Sequence, residues 1–315
     1  MKLMRTAAVL VSLIMVAGAQ EKTELKYAFQ KGEKFPLKFK YGLSVKLDKV
    51  PEQFLEILGK NPVELQFEGV VDMEVRDIAE SGAAELVGTW KTARAKGHVP
   101  LNDIDLTYDA AKAEPEKKEQ PGDPGLQGFM NIQDALARVV REPLKLSVDR
   151  QGKVTLGDGA GKLGDLEGPF RSLNGLMGPL PLQAVGKGDG WKETLKLAMP
   201  GLGGQLDIPI QADSVYASKQ TLQGRECVMI HTKFLVGPKA GGKEVIEVPD
   251  VGAKVTLEGT GEGKTAFALK EGRAAMSQSL LKGKISITLP NPAGGEDLEI
   301  AGDLTVELNH EMGGR

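Results

Sequence analysis

Few residues in this chain are equipped for chemistry, and most of those are spaced wrongly for it. The sharpest motif is GTGEGKT at 259–265, which ends in Gly263-Lys264-Thr265 like a phosphate-binding loop. Such a loop needs glycine at position 258, where Glu258 stands, and a carboxylate there opposes bound phosphate. The segment therefore predicts a hairpin turn, followed by two strands around Lys270-Glu271-Gly272-Arg273. The 3 histidines, His98, His231 and His310, form no pair at the spacing of a metal site, and no HExxH motif or cysteine cluster accompanies them. His231 sits in an alternating segment and reads as an outer-face strand residue. Cys227 is the only cysteine, so no intramolecular disulfide can form, and its place in RECVMIHTKFLV predicts a small strand residue rather than a reactive thiol. No serine lies in a GxSxG elbow. Acidic neighbours such as Glu296 and Asp297 are too common among 43 Asp and Glu residues to mark acid–base work. No catalytic residue, metal ligand or cofactor is expected.

What the sequence does show is alternation with period two, the mark of strands with one buried face. Phe35, Leu37, Phe39, Tyr41, Leu43, Val45 and Leu47 occupy successive odd positions, with Lys38, Lys40, Ser44 and Lys46 between them. The three lysines predict a solvated outer face that also discourages edge-to-edge pairing. Leu65, Phe67, Val71, Met73 and Val75 repeat the pattern, as do Leu298, Ile300, Leu304, Val306 and Leu308. Further strands are expected at 84–93, 104–109, 144–148, 191–197, 211–222, 226–236, 253–258, 264–270, 274–281 and 284–289, separated by turn sequences such as AESG, DRQG and LQGR. Glycine at 40 residues and aromatics at only 5% suit a turn-rich sheet better than a helical bundle. Helices are expected only in VPEQFLEILGK and FMNIQDALARVV, with a short one near Phe170, Leu173, Leu176 and Met177 that Pro179 ends.

Residues 1–19, MKLMRTAAVLVSLIMVAGA, have the basic start, apolar run and A-x-A end of a secretory signal, so the mature chain is expected to begin at Gln20 and to be periplasmic or extracellular. No later stretch is long and apolar enough to span a bilayer as a helix, and no cysteine follows the signal to take a lipid anchor. A formal charge of −3 argues against a nucleic-acid partner. The organisation reads as a first β unit at 20–109, a charged Pro/Gly loop at 110–125, short helices with a strand pair and a glycine-rich connection at 126–187, and a second β unit at 188–315. KGEKFPLKFK at 31–40 and GDGWKETLKL at 188–197 share a glycine turn, an aromatic and an alternating strand, a faint sign of two related units.

The secretion signal, KGEKFPLKFK, LTYDA, PLKLSVDRQGKV, PLPLQAVGKGDGW and QGRECVMI together resemble a group of uncharacterised secreted bacterial β-rich proteins, a domain of unknown function, over most of 25–310. The resemblance implies a fold and transfers no catalytic residue. A more distant architectural likeness is to lipoprotein-carrier folds, in which a curved antiparallel sheet half encloses helices around an apolar cavity. The expected fold is mainly β, with long curved antiparallel sheets, two related half-barrel units as one form, and few short helices.

Long strands with one continuous apolar face must bury it against something. The leading expectation is a non-enzymatic exported protein whose concave apolar face binds a lipid, a lipoprotein acyl chain or another apolar molecule. A structural or protein-interaction module of the cell envelope is the alternative, and a hydrolase comes third. The candidate ligand-binding residues are Phe35, Phe39, Tyr41, Phe67, Met73, Trp90 and Trp191. Both tryptophans fall in alternating strands, where core packing is the simpler reading and ligand stacking the functional one.

Overall fold

The computed structural model describes residues 21–58, 62–99, 102–112, 137, 139–157, 178, 180–201, 204–237, 243–248, 252–291 and 294–313. The signal segment at 1–19, nearly all of the charged loop and of the helix at 129–140, and most of the glycine-rich tract, with its helix near Phe170, lie outside the described residues.

The alternating runs become one antiparallel sheet of 13 strands, curved but not closed. In chain order the elements are β1 (Lys34–Lys49), α1 (Glu52–Leu58), β2 (Val63–Ile78), β3 (Ala84–Val99), β4 (Asn102–Asp109), β5 (Leu144–Val148), β6 (Val154–Leu156), β7 (Gly190–Gly201), β8 (Gly204–Leu222), β9 (Arg225–Val236), β10 (Lys243–Val248), β11 (Ala253–Ala268), β12 (Arg273–Leu289) and β13 (Leu298–Met312). Their order across the sheet is β6-β5-β3-β2-β1-β13-β12-β11-β9-β8-β7, with β4 beside the second half of β3 and β10 beside the first half of β11. The chain thus meanders outward from β1 to one edge, restarts at the other edge with β7, and meanders back until β13 pairs with β1. β1 is central, so its lysines guard no edge. Lys38 and Lys40 instead face Glu311 and Glu307 on β13 across exposed ion pairs of 3.7 and 3.9 Å.

Tight turns join neighbouring strands where the small polar separators stand. At Gln223-Gly224 both residues have positive φ, 51° and 76°, the geometry a two-residue hairpin needs to match the twist of its strands. Bulges interrupt the ladders at Val70/Val71, Val75/Asp77, Tyr216/Ser218, Ala266/Phe267 and Leu47/Lys49. Each extra residue bends and over-twists its strand, which is how a long sheet curls.

Two expectations are corrected. The GTGEGKT segment is no turn: 253–258 and 264–270, read as separate strands, are continuous in β11, and 274–281 and 284–289 are likewise continuous in β12. Gly259 lies directly opposite Gly283, and a Cβ on Gly283 would sit 2.2 Å from the Glu258 carbonyl oxygen. The glycines there serve close approach of two backbones, not reversal of the chain. Lys264 accordingly stands exposed within a strand, opposite His231 and Gln278. The second correction is β10, an unanticipated strand beside β11.

Candidate functional site

Register places six of the seven candidate residues on one face of three adjoining strands. Phe35 pairs with Met73, Leu37 with Val71, Tyr41 with Phe67 and Leu43 with Leu65, and across β13 Phe39 pairs with His310. On β3 the buried positions run Ala84, Leu86, Trp90 and then Ala93 and Ala95, because the bulge beside Val70/Val71 shifts the phase by one. Trp90 therefore joins the same face. Trp191 does not join this group: it is half-buried on β7, the far edge strand, although its pairing with Ser214 keeps it on the same face.

The centre of the group is three rings. Phe39, Phe67 and Trp90 stand with centroids 5.4–5.6 Å apart in tilted and edge-on arrangements, the geometry that ring quadrupoles favour. Gly69, opposite Phe39, makes room for the Trp90 ring, since a Cβ there would come within 2.7 Å of it. Around them, Val71, Met73, Val75 and Leu86 are fully buried. The reverse face is charged, carrying besides the Lys38 and Lys40 pairs those of Lys34 with Glu74 and Lys91 with Asp72.

One end of the apolar face is closed by the segment before β1. Leu25 and Tyr27 are buried, Tyr27 meets Phe267 edge-on at 5.4 Å, and Phe29 stacks on both Tyr27 and Phe35. Arg273 lies over the Phe35 ring at 4.5 Å and bonds Glu33 at 2.7 Å, both side chains being almost wholly buried. A buried ion pair of this kind fixes geometry more than it stabilises, but it tolerates loss of neither partner.

The other half of the face is chemically different. On β8, β9, β11 and β12 it presents Ser214, Thr232, Thr265 and Ser277, whose hydroxyls bond each other in pairs, Ser214 with Thr232 at 2.8 Å and Thr265 with Ser277 at 2.9 Å. On the reverse face of these strands Cys227 is buried in a separate small cluster with Ala266, Ala268 and Ala275, where burial pushes its thiol up, away from a reactive thiolate. His231 is exposed on the outer face.

Between the two halves, at the junction of β13 and β1, stand two buried polar groups, His310 and Tyr41. His310 is 3% exposed and neither ring nitrogen has a hydrogen-bond partner among the described residues; burial pushes its pKa down to about 3, so the ring is neutral. The Tyr41 hydroxyl is likewise buried without a partner, and burial raises its pKa. His310 lies opposite both Phe39 on β1 and Ser277 on β12, and Tyr41 is the next residue of β1 on the same face. The signal for His310 was in the sequence: it continues the even-numbered run Leu304, Val306, Leu308 into the buried face.

A groove of about 530 Å³ crosses β12, β13, β1, β2, β3 and β4, with Lys38, Arg94 and Lys112 interleaved with Glu68, Asp109 and Glu311. Charges of both signs leave it without the single-sign field that recruits an ionic ligand. Among the described residues no three His, Cys, Asp or Glu side chains gather as a metal-ligand set, and no helix is long and apolar enough to cross a membrane.

No family model matches the chain, and no curated protein matches it. Among solved structures, one of lipovitellin, concerned with its lipid–protein interactions, is similar over 91% of this chain with 11% identity and a TM-score of 0.42. This chain spans only 25% of that one. A structure of DynF from the dynemicin biosynthesis pathway of Micromonospora chersina is similar over 96% of this chain and 91% of its own, with 8% identity and a TM-score of 0.21. At these scores neither likeness carries an argument about what this chain does.

Proposed function

We propose that this is an exported, non-enzymatic protein whose curved sheet holds an apolar molecule, a lipid or an acyl chain, against its apolar face. The observation that carries the reading is the continuous apolar surface of β1, β2 and β3, centred on Phe39, Phe67 and Trp90, within a sheet that bends without closing. An antiparallel sheet of this length has one wet face, here the face of ion pairs, and one held away from water, on which Phe39, Phe67 and Trp90 are buried. Aromatic rings give such a face a large contact area at low conformational cost, suited to chains that differ in detail.

The test is direct. Full-length protein is incubated with phosphatidylcholine vesicles, separated from them and measured by native mass spectrometry. Lipid adducts of defined stoichiometry are expected, and Phe39→Asp should abolish them, because a carboxylate on this face is costly. Circular dichroism of the variant separates lost binding from lost folding. A folded wild-type protein that carries no lipid would reject the carrier and favour the envelope interaction module.

A further inference from the structure

The hydroxyls of the small-residue half pair with each other, and buried polar groups without a bond remain on Tyr27 at the closed end and where β1 meets β13. At that junction the Tyr41 hydroxyl and both nitrogens of His310 are buried with no partner among the described residues. Register sets the two residues on a diagonal of neighbouring strands, Tyr41 opposite Leu308 and His310 opposite Phe39, about 7–8 Å apart along the face. We propose that Tyr41 and His310 recognise the uncharged polar head of an amphiphile, a hydroxyl- or ester-bearing lipid, whose chain lies along Phe39, Phe67 and Trp90. This rests on the reading of the face as a holder of apolar molecules, and it names the class of molecule.

The chemistry of the two side chains selects the head group. A neutral imidazole presents one donor and one acceptor, and a phenol presents both. Buried groups of this kind are nearly always bonded, so a ligand that reaches them must supply both an acceptor and a donor. A hydrocarbon supplies neither. An ionised carboxylate or phosphate supplies acceptors only and brings a charge onto a face where the described cross-strand neighbours offer no counter-ion for it. The neighbours of His310 on this face are Phe39, Ser277, Leu308 and Met312, none of them ionisable. The buried cation near the end of the face, Arg273, is already held by Glu33. A hydroxyl or ester meets the requirement without a charge, and Ser277 and Thr265, bonded to each other beside His310, extend the polar strip by which such a head is seated.

The full chain is tested by displacement of a fluorescent acyl probe with monooleoylglycerol, oleate and octadecane. The wild type is expected to bind monooleoylglycerol at least about tenfold more tightly than either of the others. Tyr41→Phe, which keeps the ring and removes only the hydroxyl, should cut that preference several-fold while leaving octadecane displacement unchanged. His310→Leu should do the same, and His310→Gln, which retains a donor and an acceptor, should keep most of it. Equal displacement by octadecane and monooleoylglycerol, or tighter binding of oleate, overturns this proposal and leaves the apolar-holder reading standing. Displacement by none of the three overturns that reading, and this proposal with it. If the His310 variants do not fold, an unchanged preference in Tyr41→Phe is enough to overturn the assignment.

Discussion

The two halves of the apolar face solve the same packing problem with opposite materials. On β1, β2 and β3 it is filled by large rings, and a glycine appears where a ring needs space, as Gly69 does beneath Trp90. On β11 and β12 its middle is built of Gly259, Gly261, Gly263, Thr265, Ser277 and Gly283, and at Gly259, Gly261 and Gly283 the neighbouring backbone itself comes close. Side-chain volume sets the spacing around Trp90, and backbone contact sets it around Gly283. Polar groups follow the same division: the hydroxyls of the small-residue half pair off, whereas Tyr41 and His310, at the junction, do not.

This contrast predicts which substitutions matter and why. Trp90→Ala removes the ring that Phe39 and Phe67 both contact and should lower unfolding free energy by about 3–5 kcal/mol, measured by urea titration. A much smaller loss would mean that the rings are not packed as a unit. On the other side, Gly283→Val places a side chain against the Glu258 carbonyl, and overpacking of this kind costs about 1–3 kcal/mol. A stability unchanged by that substitution would show that the β11–β12 approach is not close.

The junction supplies a pH signature. His310 is held at about 3 when folded, well below the ordinary histidine value near 6.5, so between those limits the unfolded chain binds a proton that the folded chain refuses. Stability therefore falls as pH falls, by about 1.4 kcal/mol per unit, or roughly 2 kcal/mol by about pH 5. His310→Gln should flatten this stretch of the stability curve, and a wild-type curve that is already flat would place His310 in contact with water. In the acid part of that range, below about pH 5, the carboxyls of Asp77, Asp213 and Glu299 also contribute. Their pKa values are lowered chiefly by hydrogen bonds, from Lys31 to Asp77, Gln211 to Asp213 and Lys49 to Glu299, so their share too is lost as pH falls. The smallest effect belongs to Lys264→Ala, which should leave the thermal midpoint unmoved, because this lysine lies on the exposed side of its strand.

The sequence disclosed the aromatic half more readily than the small-residue half, for a physical reason. β1 alternates without a break from Phe35 to Leu47, so strand, face and site residues can all be read from it. The strand expected at 84–93 stops short of the end of β3 at Val99, because a bulge reverses the phase after Trp90, a shift that depends on the partner strand. Glycine carries no side-chain signal at all, so GTGEG reads as a turn until Gly283 is known to lie opposite. β10 is a six-residue strand, KEVIEV, with Val245 half exposed, and its alternation is too short to stand out. The pairing of β1 with β13, which creates the Tyr41–His310 junction, joins the two ends of the fold and is invisible to any local pattern.

The central claim is that an apolar chain lies against Phe39, Phe67 and Trp90. The protein has 2 tryptophans, so Trp191→Phe leaves Trp90 as the sole indole reporter. Titrating that variant with a phospholipid brominated along its acyl chain should quench Trp90 fluorescence saturably, since bromine quenches only on close approach, and an unbrominated lipid should compete the quenching away. Trp90 emission that stays constant through excess brominated lipid, in a protein shown to be folded, would contradict it.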